Sequence, residues 1–216
     1  MQVCKFAIST LLLLALIVNL APAQDKNNPE VSEKTAKLLE QLVKQTEKAD
    51  KASGDVKAYI KMKLQELCTN PTLVNAAKAQ NAKKMPLDQI KKVDQQWQEA
   101  EDELPIQAEL MGNSCAKELE KMMKQWGVIT ECFVMDNQGA NVGQNTLTSD
   151  YWQGDEAKWK ESYNDGKGGL HVDKTKLDKS TNQVDQKFSV PLIDVDGHVV
   201  GAICIGLNVE SVPAAK

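Results

Sequence analysis

The stretch VITECFVMDNQGANVG, residues 128–143, decides the fold. Its first eight residues, Val128 to Met135, are mostly β-branched or apolar, as is typical of a buried strand. Asp136 to Gly139 has the composition of a tight turn, and Ala140 to Gly143 begins a return strand. A β-hairpin is therefore predicted immediately after Gly127, where the pattern of the chain changes from helical to extended.

Downstream of this hairpin, the sequence predicts one short helix and three more strands. Asp155 to Tyr163 has helical spacing and leads into the glycine-rich loop Asn164–Gly169. We therefore expect a five-stranded antiparallel sheet, crossed on one face by the helix and the loop, with a ligand pocket between them. The remaining strands are predicted at Leu170–Asp173, Gln183–Ile193 and His198–Asn208.

Residues 24–127, ahead of the hairpin, are predicted to be helical. Asn28-Pro29 offers a cap and a first-turn proline for a long first helix. Two interpretations of its apolar stripe stay open: the stripe packs on its own domain, or it forms the seam of a homodimer. The stripe consists of Val31, Thr35, Leu38, Leu42 and Ala49.

Three prolines and two further stripes divide the rest of this region. Pro71, Pro86 and Pro105 each stand where a new helix could begin. Residues 87–100 and 106–126 are each predicted to present one apolar face. The chain is thus expected to have α+β architecture, with a helical region at 24–127, a sheet domain at 128–210 and a frayed tail at 211–216.

The first 23 residues are predicted to be a secretory signal peptide. Lys5 supplies positive charge, and the apolar run Phe6–Leu20 is shorter than the ~20 residues that span a bilayer as a helix. Ala21-Pro22-Ala23 then offers small residues for cleavage. A periplasmic protein is expected, and an uncleaved N-terminal anchor is the alternative.

The charged residues limit the classes of partner. The chain has 26 basic and 30 acidic side chains, and every basic one is a lysine. A net charge of -4 argues against nucleic acid as a partner. The absence of arginine also excludes the bidentate guanidinium clamps that often hold carboxylates and phosphates.

Four cysteines follow the predicted cleavage site. In an oxidising compartment they could form two disulfides. Their context favours Cys68 with Cys115, in the helical half, and Cys132 with Cys204, in strands. The alternative for the two strand cysteines is that each is a buried thiol.

Three segments together resemble the PAS-like core of Cache extracellular sensor domains. They are FVMDNQG at 133–139, TSDYWQGD at 148–155 and SVPLIDVDGHVVGAI at 189–203. The resemblance implies a long N-terminal helix ahead of a PAS-like sheet, and a small-molecule ligand. Cache domains usually lie between two transmembrane helices of chemoreceptors and kinases. This chain differs from that arrangement in its predicted cleavable signal peptide. It is therefore expected to be a free-standing periplasmic form that signals through a membrane-bound partner.

The resemblance also implies site residues. Amino-acid-binding members place an arginine two residues before a tryptophan, and this chain has Asp150 and Trp152 there. Their aromatic-x-Asp pair corresponds to His171 and Asp173, and their final aspartate to Asn208. Aromatic residues between 151 and 163 are expected to supply a pocket wall or simply helix packing. The candidate ligand-binding residues are Asp150, Tyr151, Trp152, Trp159, Tyr163, His171, Asp173 and Asn208.

Carboxylates beside an indole favour a cation, so the expected ligand is an amine or a quaternary ammonium. The alternative role of Asp150 is to cap the helix that follows it. The sequence contains neither a catalytic motif nor metal-ligand spacing, so no enzyme, cofactor or metal is expected. The alternative function is a structural or interaction module that dimerises through its long helix and has a vestigial pocket.

Overall fold

The structure, a computed structural model, describes residues 32–178 and 183–215. The expected signal peptide and the Asn28-Pro29 helix start lie outside these ranges. Within them, no helix has both the length and the apolar character needed to cross a bilayer. The helices are α1 Glu33–Lys48, α2 Gly54–Thr69, α3 Pro71–Ala82, α4 Leu87–Glu99, α5 Pro105–Gly112, α6 Ser114–Trp126 and α7 Ala157–Tyr163. The strands are β1 Ile129–Met135, β2 Asn141–Gln144, β3 His171–Val172, β4 Lys176–Asp178, β5 Gln183–Ile193 and β6 Val199–Asn208.

Short polar residues and prolines set the helix boundaries. Pro71 and Pro105 are the first residues of α3 and α5, and Pro86 directly precedes α4, so all three predicted starts are confirmed. Ser32 caps α1 by accepting the Thr35 backbone N–H. Such caps satisfy amide groups that would otherwise have no partner in the first turn of a helix.

The prediction of one helix over residues 106–126 is wrong. Asn113 separates α5 from α6, and its side chain accepts the Ala116 backbone N–H as the cap of α6. The same side chain donates to the Val142 carbonyl on β2 at 2.8 Å. The five-residue step from Leu110 to Cys115 already departs from helical spacing, because only steps of three or four keep residues on one face.

All paired strands are antiparallel, which confirms the predicted α+β architecture. The sheet order is β2-β1-β6-β5-β3, and the short strand β4 also pairs with β5. Within the described residues the sheet has six strands, one more than predicted, since β4 was not expected. Pairs of opposite residues carry their side chains on the same face, so the register places His171, Ser189, Cys204, Phe133 and Gln144 in one row.

Both faces of the sheet are covered. On the helix face, α1, α2, α3 and α6 contribute to the main apolar core together with alternate residues of the strands, such as Phe188, Val190 and Ile203. On the opposite face, called here the α7 face, Trp159 packs against a small cluster of Phe133, Met135, Ala202 and Cys204. The central strand β6 is buried at nine of its ten positions, which explains its nearly continuous apolar sequence.

The apolar stripe of α1 packs within its own chain. Leu42 is fully buried in the main core, Thr35 is buried, and Leu38, Leu39 and Ala49 pack against the core from the side. The first interpretation of the stripe therefore applies. A homodimer through this seam would have to expose Leu42 first, at a cost of about 1.5–3 kcal/mol per side chain.

The four cysteines of the described residues are free and buried, so the two expected disulfides are absent. Cys132 pairs with Ile205 in the sheet, while its neighbour Phe133 pairs with Cys204. Consecutive residues of a strand face opposite sides, so Cys132 and Cys204 lie on different faces of the sheet. The alternative interpretation, buried strand thiols, is the one observed.

Burial should protect these thiols from alkylation. It raises the pKa of Cys204 to about 11, and burial together with the charge of Glu118 raises the pKa of Cys115 to about 12. Because the thiolate is the reactive form, iodoacetamide at neutral pH should label none of the four in the native protein and all four after unfolding without reductant. Mass spectrometry of peptides gives the count; a reductant-dependent increase in labelling would contradict it.

Candidate functional site

The predicted site residues are distributed across the sheet rather than gathered at one point. The loop that carries Asp150, Tyr151 and Trp152 lies beside β2, through a bridge between Trp152 and Ala140. His171 and Asp173 belong to β3 or directly follow it, at the other edge. Four inter-strand spacings of about 4.8 Å separate these edges, or roughly 19 Å. The two groups thus lie at opposite edges of the sheet, and a ligand shared by both stays a prediction.

Hydrogen bonds within the chain fix the loop beside β2. One Asp94 carboxylate oxygen on α4 accepts the backbone N–H groups of Tyr151 at 2.8 Å and Trp152 at 2.9 Å. The Asp150 carboxylate accepts from Ser149 and Gln153. Asp150 does not cap α7, because Glu156 holds the cap position and makes no side-chain cap bond. That alternative role for Asp150 is wrong.

The indole of Trp152 already has partners in the chain itself. Its N–H donates to the Gln138 carbonyl at 2.7 Å, and the Lys91 ammonium lies 4.5 Å from the ring centroid. A cation from the protein therefore takes the indole face that was expected to attract a cationic ligand. The neighbouring Tyr151 is buried in a small apolar cluster with Trp97 and Ile90.

The two aromatic residues of α7 pack as a pair. Trp159 and Tyr163 stack with ring centroids 5.1 Å apart, and the Trp159 N–H donates to the Asp136 carbonyl at 3.0 Å. Trp159 also covers the small cluster on the sheet. These contacts match the packing interpretation of the helix aromatics, while a ligand contact by either residue stays a prediction.

His171 joins α7 to β3. It is buried, its Nδ1 lies 2.8 Å from Glu161 Oε2 on α7, and its Nε2 lies 3.3 Å from Asp173 Oδ1. Both ring nitrogens are thus occupied by carboxylates of the chain. The imidazole fixes the edge of the covering helix to the edge of the sheet.

Asn208 lies in a polar cavity at the end of β6, apart from the other predicted residues. The cavity has a volume of about 530 Å³, within the range of small-molecule pockets. Asp185 is the strand partner of Asn208, and Glu131 lies one step further along the same face on β1. The lining includes Glu131, Thr146, Gln183, Asp185, Asn208 and Ser211.

A glycine allows an ion pair to form across the central strand beside this cavity. Glu131, Gly206 and Lys187 form one row over β1, β6 and β5, and the Lys187 ammonium lies 2.6 Å from Glu131. A Cβ on Gly206 would come within 2.8 Å of the Glu131 side chain and of Thr130. Burial alone would lower the pKa of Lys187, but the bond to Glu131 outweighs it and the pKa is raised.

Sequence reasoning missed Glu131, Asp185 and Lys187. A signal was present, because Asp185 and Lys187 alternate with Gln186 and Phe188 on β5. Charged residues at every second position predict a polar stripe on one face of a strand. The spacing could not show that Glu131, from a strand more than fifty residues earlier, completes the stripe.

A turn between β5 and β6 brings three possible metal ligands together, at Asp194, Asp196 and His198. One oxygen of Asp194 accepts the backbone N–H groups of Asp196 and His198 at 3.0 and 2.9 Å. The other oxygen pairs with Lys78 at 3.3 Å. Burial opposes ionisation, yet these bonds hold the pKa of Asp194 below its usual range. The arrangement is accounted for by turn formation.

No family model and no curated protein matches this chain. Among solved structures, it is similar to the ligand-binding domain of an amino acid chemoreceptor of Pseudomonas aeruginosa in complex with GABA, at 13% identity and a TM-score of 0.37. That match covers 65% of this chain and 58% of the other. The ligand-binding domain of a Campylobacter jejuni chemoreceptor in complex with 4-methylisoleucine matches at 13% identity and a TM-score of 0.38. That match covers 84% of this chain and 62% of the other.

The sensor domain of a V. cholerae histidine kinase matches at 13% identity and a TM-score of 0.36, over 83% of this chain and 55% of the other. The chain spans less than two thirds of the length of all three. All three are ligand-binding or sensor domains. With TM-scores below 0.5, these likenesses identify neither its ligand nor its site residues.

The Asp94 contact predicts how strongly the loop beside β2 is held. Asp94→Ala would leave the Tyr151 and Trp152 amide groups without their acceptor, and we expect the free energy of unfolding to fall by about 1–3 kcal/mol. Chemical denaturation followed by tryptophan fluorescence measures this. Gln95→Ala, an exposed position on the same helix, is the matched control and should change stability by less than about 0.5 kcal/mol. Equal effects of the two substitutions would contradict the assigned role.

Proposed function

We propose that this protein is a periplasmic sensor that binds a small amine in the polar cavity at the end of β6. The observation that carries the proposal is the grouping of Glu131, Asp185 and Asn208 around a cavity of about 530 Å³. Its carboxylates suit an ammonium group, since ionised acceptors make the stronger hydrogen bonds with charged donors. Asn208 was already a candidate, and its side-chain oxygen, which accepts the Glu210 backbone N–H at 3.1 Å, can accept a second donor. Asp150 and Trp152 have their partners elsewhere in the chain.

The ion pair beside the cavity also supports a cationic ligand. Two lysines lie beside this lining: the Lys187 ammonium is bound to Glu131 at 2.6 Å, and Lys176 is the strand partner of Asp185. An amine that enters can share Glu131 or replace Lys187 there, so binding would redistribute an existing contact. A carboxylate would instead face Asp185 and Glu131, and like charges at close range repel one another.

Strand β5 offers a route from the cavity to the first helix. Asp185 and Lys187 lie on the α7 face, whereas Gln186 between them points to the helix face. The side-chain amide of Gln186 donates to the Lys51 carbonyl and to the Asp173 carbonyl, both at 2.8 Å. Lys51 lies in the connection between α1 and α2 and donates to the Val172 carbonyl at 2.8 Å.

A second contact ties α1 to the edge of the sheet. The Gln45 side chain on α1 accepts the Leu170 backbone N–H at 2.9 Å, directly before β3. We propose that a ligand at Asp185 shifts the population of β5 positions and so of α1 positions. A membrane-bound partner that contacts α1 would read this change, and the signal peptide predicted from the sequence supports a periplasmic location for that contact.

Calorimetric titration with a panel of amines and carboxylic acids tests the proposal. We expect binding of an amine, weakened about tenfold to a hundredfold by Asp185→Asn, because a charged hydrogen bond contributes about 1.5–3 kcal/mol. Asn208→Asp adds a carboxylate to the lining and should tighten the same amine. Asp196→Asn, on the exposed turn outside this cavity, is the matched control and should leave the affinity unchanged.

Two results would overturn the assignment. Tight binding of a carboxylate with no response to amines would contradict the cationic ligand. The absence of binding across the panel, combined with a dimer that survives dilution in sedimentation velocity experiments, would favour the structural module instead.

A further inference from the structure

A second cavity lies at the other end of β1, between α3, α4, α5 and the turn that follows the strand. Its volume is about 160 Å³, enough for roughly five water molecules at about 30 Å³ each. Gln80 contributes from α3, Ile90 from α4 and Leu110 from α5. It shares no lining residue with the cavity at Asn208.

Tyr151 supplies an unused polar group to this cavity. The residue is only 3% exposed, and its hydroxyl makes no hydrogen bond with any residue that the structure describes. The hydroxyl is accessible from the cavity, where it can donate to or accept from a bound molecule or water. Burial, and then the charges of Asp136 and Glu109, raise the pKa of Tyr151, which places both carboxylates in its neighbourhood.

Carboxylates outnumber ammonium groups in the lining, because it contains Asp136 and Glu109 but a single lysine, Lys83. Asp136 is buried, and its two oxygens already accept the backbone N–H groups of Gln138 and Ala140 and the side-chain amide of Gln80. Those three bonds leave capacity for a further donor, because a carboxylate accepts about four. Glu109 adds a second carboxylate from α5. A positively charged donor complements this excess of carboxylate, since ionised acceptors make the stronger hydrogen bonds with charged donors.

The walls are apolar. They are formed by Met85, Ile90, Ile106 and Leu110. We propose that this cavity binds a short primary alkylamine, with its ammonium group toward Tyr151, Asp136 and Glu109 and its alkyl chain against Ile90, Ile106 and Leu110. This site is separate from the amine site at Asn208, whose lining is more polar. The two differ in the chain-length dependence that they impose on a ligand.

Calorimetry with n-alkylamines from ethylamine to hexylamine tests the proposal on the full protein. Affinity should rise about fourfold per added CH₂ while the chain fits, and fall once the chain exceeds about four or five carbons. The n-alkanols and n-alkylcarboxylates of the same lengths should bind at least tenfold more weakly. Affinity that does not depend on chain length, or equal binding of the three series, would overturn the site.

Variants locate the binding. Tyr151→Phe keeps the ring and removes the hydroxyl, and should weaken the affinity for the preferred amine about tenfold. Ile106→Trp should fill the cavity and abolish binding. Circular dichroism should confirm that the fold of both variants is unchanged. Asp185→Asn should leave this binding as in the unmodified protein, which separates it from the site at Asn208. Unchanged affinity in both Tyr151→Phe and Ile106→Trp would exclude the cavity.

Discussion

Burial of the central strand on both faces is the constraint on which the rest of the structure depends. β6 is flanked by β1 and β5, covered by helices on one side and by α7 on the other, and buried along nearly its whole length. Polar groups cannot be placed in its interior without unsatisfied partners. Hydrophilic chemistry is therefore confined to strand ends and neighbouring strands, where Asn208, Glu131 and Lys187 are found.

The absence of arginine determines which kind of charged contact forms near the sheet. Charged contacts near the sheet are made by single ammonium groups, as in the pairs of Lys187 with Glu131 and Lys78 with Asp194. A lysine contributes a point charge at the end of a flexible stem, without the rigid fork of a guanidinium. Such pairs can exchange partners more readily than bidentate ones, as the proposed binding of an amine beside Lys187 requires.

The sequence allowed the architecture to be predicted well, because local signals dominate there. Prolines at three helix starts, the turn after Met135 and the apolar run of β6 each act over a few residues. The prediction failed where the deciding contact is distant. Asn113 divides α5 from α6 by bonding to β2, and Cys132 and Cys204 are kept apart by strand register.

The site was harder to predict than the fold for the same reason. Asp150 and Trp152 have a plausible spacing, but their partners Gln153, Lys91 and Asp94 could not be assigned without coordinates. Asn208 was singled out, while the carboxylates around it come from other strands. The cavity at Tyr151 combines three helices and a turn, and no single stretch of sequence contains its pattern.

The alternation of Asp185, Gln186 and Lys187 has a consequence for how the length of β5 can change. Adjacent residues on β5 serve opposite sides of the sheet, one side for the cavity and the other for the link to the α1–α2 connection. Inserting or deleting one residue here would exchange the two sets, since the repeat of a strand is two. Insertions or deletions at this point must therefore involve an even number of residues, or be absorbed by a bulge, if the cavity and the link to the α1–α2 connection are both to be kept.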